Sequence, residues 1–287
     1  MANYTTAHVG GPVEALLPAN TLEELARAAD ILWKLQVPFR VVGSGSNILV
    51  SDKGMPGLVL LNRARNVKID TRSSAPTVWA ESGANLSHMA RQAALRGLSG
   101  LEWAGAIPGT VGGAVYGNAG AYGGDIHGSL ILAEILHRDN GRQSWTVDRF
   151  EYSYRSSLLK RERMPAVILA ARFKVSSESA VEGQMKMSEY SEQRQLSQPP
   201  GASLGSMFKN PAGDYAGRLI EAAGLKGHRV GDAEISPVHA NFFVNTGKAS
   251  AQDIWELIRL ARQTVADKFG IDLELEIELM GEFEDKR

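Results

Sequence analysis

The sequence predicts a mixed α/β protein, and three observations carry that reading. Amphipathic helical stretches alternate with short apolar runs of strand length along the first half of the chain. Glycine, at 30 of 287 residues, gathers around 43–57 and 105–124, where a backbone must turn sharply or approach something closely. A breaker run, Gln198-Pro199-Pro200-Gly201, then precedes a C-terminal part with two strong helices. The length favours roughly two compact units.

The elements follow in order. Segments 13–17 and 39–42 read as strands. Between them Thr21 and Glu24 form a capping box, and Leu22, Leu25, Ala26, Ala29 and Leu32 make one apolar stripe at helical spacing. The turn Gly43-Ser44-Gly45-Ser46-Asn47 follows the second strand. Segments 58–61 and 78–80 continue as strands, and Asn85 caps a helix running to about 96. Past the second glycine cluster come a strand over 130–136, a hairpin turn at Asp139-Asn140-Gly141 and a return strand. A strand over 167–175 and a polar helix over 178–196 follow. Beyond the breaker run, Asp214 is placed to cap a helix ending at Gly224. Ser250 with Asp253 caps a longer helix that buries Ile254, Leu257, Ile258, Ala261 and Val265. Last, Leu273, Leu275, Ile277 and Leu279 alternate with Glu274, Glu276 and Glu278, the period of a strand over 273–279.

Composition excludes several functions. Lys and Arg sum to 31, Asp and Glu to 32, for a net charge of -1, which leaves no electrostatic footprint for nucleic acid. The absence of cysteine removes thiol nucleophiles, thiolate zinc, iron–sulfur clusters and disulfides. Six dispersed histidines show no metal-ligand spacing, so no catalytic metal is expected. Apolar runs fall short of the roughly 20 residues that span a bilayer, and the first residues do not read as a signal peptide. A cytoplasmic protein without membrane insertion is expected.

Four segments could carry chemistry. The turn 43–47 exposes successive amides that suit a phosphate, yet it lacks the elements of a P-loop or a full dinucleotide fingerprint; a plain tight turn is an equal reading. The stretch Gly105-Ala106-Ile107-Pro108-Gly109-Thr110-Val111-Gly112-Gly113, with Asn118 to Gly124, permits close approach to a large flat ligand, or a tightly packed helix. Ser206, Lys209 and Asn210, in Gly205-Ser206-Met207-Phe208-Lys209-Asn210-Pro211, could donate a proton and grip phosphate; on pattern alone a loop with a capping serine is the better reading. Arg155, in Tyr152-Ser153-Tyr154-Arg155-Ser156-Ser157, could clamp a carboxylate through its planar fork, although a surface arginine is commoner.

Taken in this order, these segments resemble the UDP-N-acetylenolpyruvoylglucosamine reductases, flavoenzymes of peptidoglycan synthesis. The resemblance also takes in Thr5-Thr6-Ala7-His8-Val9-Gly10-Gly11-Pro12, Gly100-Leu101-Glu102, Ala216-Gly217-Arg218-Leu219-Ile220-Glu221, His239-Ala240-Asn241-Phe242 and Leu273-Glu274-x-Glu276. The short span from Val175 to Gln198 is similar to the branch lacking an extra tyrosine loop.

The resemblance implies two small α/β subdomains, 1–70 and 71–178, sandwiching FAD in the vanillyl-alcohol-oxidase type of fold, and an α+β substrate-binding domain over 179–287. It implies a ping-pong reaction: NADPH reduces FAD and leaves, then the enolpyruvyl ether of UDP-N-acetylglucosamine enters and is reduced to UDP-N-acetylmuramate. By resemblance Ser206 is the proton donor, and Arg155 and Glu276 stabilise the aci-carboxylate. Gly43, Ser44, Gly45, Ser46, Asn47, Gly105, Ile107, Pro108, Gly109, Thr110, Gly113 and Asn118 would hold FAD. Tyr122, Tyr154, Lys209 and Asn210 would meet substrate. A monomer is expected, with Glu274 and Glu278 left as solvated surface acids. Ala106, Gly117 and Met207 depart from the family's usual residues, none at the three catalytic positions. Two rival readings are a sugar or alcohol oxidase of the same fold and a non-catalytic nucleotide-sugar-binding paralogue. The first turn has no histidine for a covalent tether, so FAD is expected to be held non-covalently.

Overall fold

The strand Ala166–Lys174 carries apolar side chains on both faces, and this sets the architecture around it. The computed structural model describes residues 1–284. The chain divides into two units, one of 15–43 with 57–194, the other of 1–14, 44–56 and the chain from 195 onward.

In the first unit, Ala166–Lys174 is the middle of a five-stranded antiparallel sheet. The order is Gly141–Thr146, Leu130–His137, Ala166–Lys174, Thr77–Glu81 and Val67–Asp70. Ile168, Ala171 and Phe173 join a cluster with the helices Leu86–Ala94 and Val111–Gly117. Val167, Leu169 and Ala170 join another with the helix Leu22–Lys34. Successive residues Leu169 and Ala170 share a cluster because a register shift opposite Glu134 and Ile135 makes Leu169 an extra, bulged residue. The helix Leu22–Lys34 starts where expected. Thr21 accepts from the Glu24 amide at 3.1 Å, while the Glu24 carboxylate reaches back to the Asn20 amide at 2.7 Å. The expected stripe is buried throughout. Asn85 caps Leu86–Ala94, and the polar helix Ala180–Ser197 buries only Gly183 and Met187.

The second unit holds a four-stranded antiparallel sheet, ordered Ala202–Ser206, Phe242–Asn245, Ala233–Ile235 and Arg229–Val230. The helix Ala251–Phe269 packs its predicted face into the same apolar cluster. Its start is satisfied twice over: Ser250 and Asp253 form a reciprocal capping box, and the Asp52 carboxylate accepts from the Ala251 and Gln252 amides at 2.9 and 2.8 Å. Among the described residues, no helix is long and apolar enough to cross a membrane.

Two expectations are overturned. Asp214 does not cap the helix Ala216–Ala222, which begins at Tyr215 without a side-chain cap. Its carboxylate is claimed by Arg218 one turn on, which pulls its pKa down to about 2. Asn210 Oδ1 instead accepts from the Ala216 amide at 3.1 Å. The strand over 273–279 is also not continuous. Only Glu278–Met280 is a strand, pairing in parallel with Ile48–Val50, and the chain bends at Glu276 and Ile277. The bend shifts the alternation by one residue: Leu273 and Ile277 are buried, but Leu279 turns outward and Met280 inward.

Removing the Ser250 hydroxyl leaves the Asp253 amide without its acceptor. Ser250→Ala should lower stability by about 1 kcal/mol, read as a lower urea midpoint with an unchanged slope. The Asp52 contacts keep the loss from growing to full fraying of the helix.

Candidate functional site

In the second unit the candidate residues are set by one irregular strand. Ser203 pairs with Val244 but Ser206 with Phe242, so the strand Ala202–Ser206 holds an extra residue. Gly205 lies at φ +78°, and a Cβ there would meet nothing within 4 Å. The glycine is therefore needed for its backbone angle, which bulges the strand and re-aims the residue after it. That residue is Ser206, half-buried.

Beyond it Met207 and Phe208 sink into the core. The buried Asn241 clamps them. Its carbonyl accepts from the Met207 amide at 2.8 Å, its Oδ1 from the Phe208 amide at 2.9 Å, and its Nδ2 donates to the Phe208 carbonyl at 2.8 Å. On the opposite side the Glu276 amide donates to the Met207 carbonyl and the Lys209 amide to the Glu274 carbonyl, both at 2.8 Å. Ser206, Lys209 and Glu276 are thus brought onto two adjoining segments. The turn 43–47 contributes here as well: Asn47 Nδ2 donates to the Glu276 carbonyl at 3.1 Å, and the Glu278 amide to the Asn47 carbonyl at 2.9 Å. Gly45, at φ +64°, is covered by the Tyr4 carbonyl, while Ser44 and Asn47 are exposed. Asn210 spends its Oδ1 on the Ala216 amide, which leaves its Nδ2 as the end able to meet a ligand.

In the first unit Gly43 packs on Thr110. A Cβ at Gly43 would stand 2.4 Å from Thr110 Oγ1 and 2.7 Å from its Cγ2. Thr110 follows Ile107, Pro108 and Gly109, the last at φ +129°, and caps the helix Val111–Gly117 through the Gly113 amide. The next amides are already spent on protein: Val111 donates to the Ala84 carbonyl and Gly112 to the Ser82 carbonyl. Gly113 is exposed, and a Cβ there would touch only Thr110 Oγ1, at 3.6 Å. Its open face fits a closely approaching flat or phosphorylated cofactor, and Gly43 lets the first turn pack directly on Thr110 beside it. Two other glycine-cluster residues are explained by protein packing. A Cβ at Gly105 would strike Met187 Cε at 2.2 Å. The buried Asn118 accepts from the His127 amide and donates to the Ser153 carbonyl, both at 3.0 Å.

The Asn118 bond to Ser153 seats the turn that carries Arg155. Ser153 and Ser156 exchange two backbone hydrogen bonds of 3.1 Å around Tyr154 and Arg155. Arg155 takes φ +53°, an uncommon angle for a side chain with a Cβ. Its Nη2 donates to the Gly120 carbonyl at 2.7 Å, and its guanidinium lies 5.2 Å from the Tyr154 ring centre. Tyr152 anchors the same segment on the Val115 carbonyl, and burial pushes its hydroxyl well above the usual phenol range. Tyr122 and Gly123, both at positive φ, turn the hairpin from Gly120–Ala121 to Gly124–Asp125. Tyr122 stacks on Tyr190 at 4.3 Å between ring centres and donates to the Tyr190 carbonyl at 2.9 Å.

Sequence reasoning did not single out Asn241, Tyr190 or Arg194. The motif around Asn241 was visible, but nothing in it said that the amide closes on Phe208. Tyr190 and Arg194 stand one helical turn apart on a helix that reads as merely polar. Burial lowers the Arg194 guanidinium from its ordinary value, and Tyr122 opposes that shift.

Two family models match the chain: an FAD binding domain over residues 13–137, and the C-terminal domain of UDP-N-acetylenolpyruvoylglucosamine reductase over 195–280. The UDP-N-acetylenolpyruvoylglucosamine reductase of Chloroflexus aggregans is 43% identical over 98% of this chain and 95% of its own length. That of Bacillus subtilis is 38% identical over 98% and 92%. The crystal structure of UDP-N-acetylenolpyruvylglucosamine reductase from Thermus caldophilus superposes with a TM-score of 0.82 at 39% identity, covering 97% of this chain and 96% of the other.

Gly43 and Gly117 make a contrasting pair. A Cβ at Gly43 collides with a β-branched side chain that cannot swing away, whereas at Gly117 it meets nothing within 4 Å. Gly43→Ala should cost about 1–3 kcal/mol and lower the flavin-to-protein ratio after gel filtration. Gly117→Ala should keep the full flavin content and raise the melting temperature slightly.

Proposed function

The chain belongs to the UDP-N-acetylenolpyruvoylglucosamine reductase family, and we propose the reaction course and residue roles that its geometry supports best. It is an FAD-dependent oxidoreductase built on an FAD-binding fold with a C-terminal α+β domain. Its family, which uses FAD and NADPH, reduces the enolpyruvyl ether of UDP-N-acetylglucosamine in peptidoglycan synthesis. In our reading NADPH and the enolpyruvyl nucleotide use the enzyme in turn, in a ping-pong scheme, and UDP-N-acetylmuramate leaves. We read segments 1–70 and 71–178 as serving FAD and 179–287 as serving the substrate; the second family match, over 195–280, lies within the last of these. We read the protein as a cytoplasmic monomer, a setting that supplies both nucleotides.

FAD, when bound, supplies the hydride it has taken from NADPH. The residues that would hold it non-covalently are Gly43, Ser44, Gly45, Ser46 and Asn47, with Ile107, Pro108, Gly109, Thr110 and Gly113. Gly105 and Asn118 act at one remove, through Met187 and through the 127 and 153 segments.

Addition of hydride to the terminal vinyl carbon leaves an electron pair on the neighbouring carbon, shared with its carboxylate. Arg155 answers that charge. Its backbone turn and its bond to Gly120 hold the guanidinium before the reaction begins, so little reorganisation is needed as charge develops. Glu276 adds a hydrogen bond to the same group. The Ser206 hydroxyl gives its proton to the carbon, forming the C–H bond of the lactyl ether, and regains one from solvent. The carbanionic carbon is basic enough to accept from so weak an acid. Lys209 and the Asn210 amide meet the nucleotide part, and Tyr154 and Tyr122 line the substrate's approach. The observation that carries this reading is the bulge at Gly205 with the Asn241 clamp, which presents Ser206 and Lys209 on a fixed backbone next to Glu276.

Anaerobic stopped-flow separates the half-reactions. In Ser206→Ala, flavin reduction by NADPH should persist nearly unchanged, while reoxidation by the enolpyruvyl substrate slows by about 100- to 10,000-fold. Equal slowing of both would remove the proton-donor role.

Glu276→Gln should also slow reoxidation, by at least about tenfold, because the amide is a weaker and differently placed donor. Glu278→Gln, at a residue given no part in the reaction, should stay within about threefold of the parent. If the two variants reoxidise alike, Glu276 has no special part in the reaction.

A further inference from the structure

We infer that Glu274 is a positioning residue: from the edge of the site it fixes the ammonium of Lys209, and so sets the enzyme's grip on the anionic part of the nucleotide substrate. This rests on the role given to Lys209 above.

The sequence alone puts Glu274, Glu276 and Glu278 on one solvated face. The bend at Glu276 and Ile277 separates them. Leu275 bridges Phe208 in antiparallel fashion, so Glu274 stands directly across from Lys209. The Lys209 amide donates to the Glu274 carbonyl at 2.8 Å, and the Lys209 ammonium meets the Glu274 carboxylate at 2.5 Å. The two side chains differ sharply in exposure, 13% for Lys209 against 72% for Glu274. The lysine stem is therefore packed into the protein, and the carboxylate holds its tip from outside. Among the described residues this is the only ion pair that Lys209 makes.

The backbone around the pair is fixed on both sides. Asn241 clamps Phe208, and Glu276 is bonded to Met207. What the packed stem and the fixed backbone leave to be ordered is the charged tip of Lys209. Ordering such a side chain costs entropy whenever a ligand must do it. A partner that has already ordered it removes that cost from substrate binding. A lysine acts on phosphate as a point charge, so its position matters more than its directionality. An exposed ion pair of this kind adds little to fold stability, so its loss should show in substrate binding and not in the melting temperature.

The test uses the flavin-loaded protein with Glu274→Gln, Lys209→Met and the double variant. Anaerobic reoxidation is followed against concentration of the enolpyruvyl nucleotide, with NADPH reduction, flavin content and melting temperature as controls. Glu274→Gln should raise the half-saturating concentration by roughly fivefold to tenfold. Its limiting rate should stay within about threefold, and its NADPH half-reaction should be unchanged. Lys209→Met should raise the half-saturating concentration at least as much, and adding Glu274→Gln to it should do no more, because the group being positioned has gone. The inference is overturned if Glu274→Gln leaves half-saturation unchanged or tightens it while Lys209→Met weakens it, or if the two effects simply add. Slowing of both half-reactions together, with loss of flavin, would show a structural role instead. If Lys209→Met itself leaves half-saturation unchanged, the role given to Lys209 falls, and this inference with it.

Discussion

The amide of Asn241 closing on the backbone of Phe208 is the constraint on which the Ser206–Lys209 segment of the second unit depends. A buried amide must pair both its ends or lose the hydration it gave up. Here both ends pair with a single residue, so the clamp has one geometry. That geometry carries the bulge before it and the Glu274–Glu276 segment beyond it, since each is tied to Met207 or Lys209. Ser206 sits at the point where the regular ladder ends and the clamp begins. Its position is therefore set by backbone bonds and by the burial of Met207 and Phe208, with no need for a partner on the hydroxyl. The proton-donor role proposed for Ser206 gains from such an arrangement, because the hydroxyl stays available to substrate.

The first unit uses the same device at another place. Asn118 is also buried, 5% exposed against 3% for Asn241, and its amide likewise accepts from one backbone group and donates to another. What it joins is the end of the glycine-rich helix and the turn bearing Arg155. The left-handed angle at Arg155 costs energy that an exposed loop would relax away. It persists because the flanking serines pair, Ser157 is anchored on the Tyr116 carbonyl, and Asn118 holds Ser153. In each unit a buried asparagine thus turns an irregular backbone into a rigid mount for a side chain proposed to act on the substrate.

Two helices whose predicted N-cap side chains do accept a backbone amide show what a sequence can reveal. Thr21 with Glu24 and Ser250 with Asp253 are local pairs, and each stripe that follows is buried as its spacing predicts. Asp214 failed as a cap for an equally local reason, because an arginine four residues on offers a charged partner. The terminal strand failed for a non-local one. Its alternation of leucine and glutamate is perfect in sequence, but the pairing of 274–276 with 207–209 competes with the pairing of 278–280 with 48–50. The chain satisfies both by bending between them, and the bend is what makes Glu276 differ from its neighbours. Periodicity had no means to show this. The family motif singled out Glu276, and it also contains Glu274, whose ion pair with Lys209 appears only when two segments some 65 residues apart are brought together.

The glycine clusters teach a finer distinction. Their density marked a crowded backbone, but the crowding is largely the protein's own. In the second cluster Gly105 faces Met187, Gly112 faces Ser82, Gly120 faces Asp125 and Gly124 faces Trp103, each at a distance that a Cβ could not tolerate without movement. Gly113 lacks such a neighbour and is exposed. The first cluster is similar: Gly43 and Gly45 are covered by Thr110 and by the Tyr4 carbonyl, while Ser44 and Asn47 between and beyond them are open. Glycine lets these turns fold back onto the chain, and the folding back presents the intervening polar residues. Contact with a phosphorylated cofactor at such a turn would come through Ser44 and Asn47 and the amides around them, with the glycines holding the curve from behind.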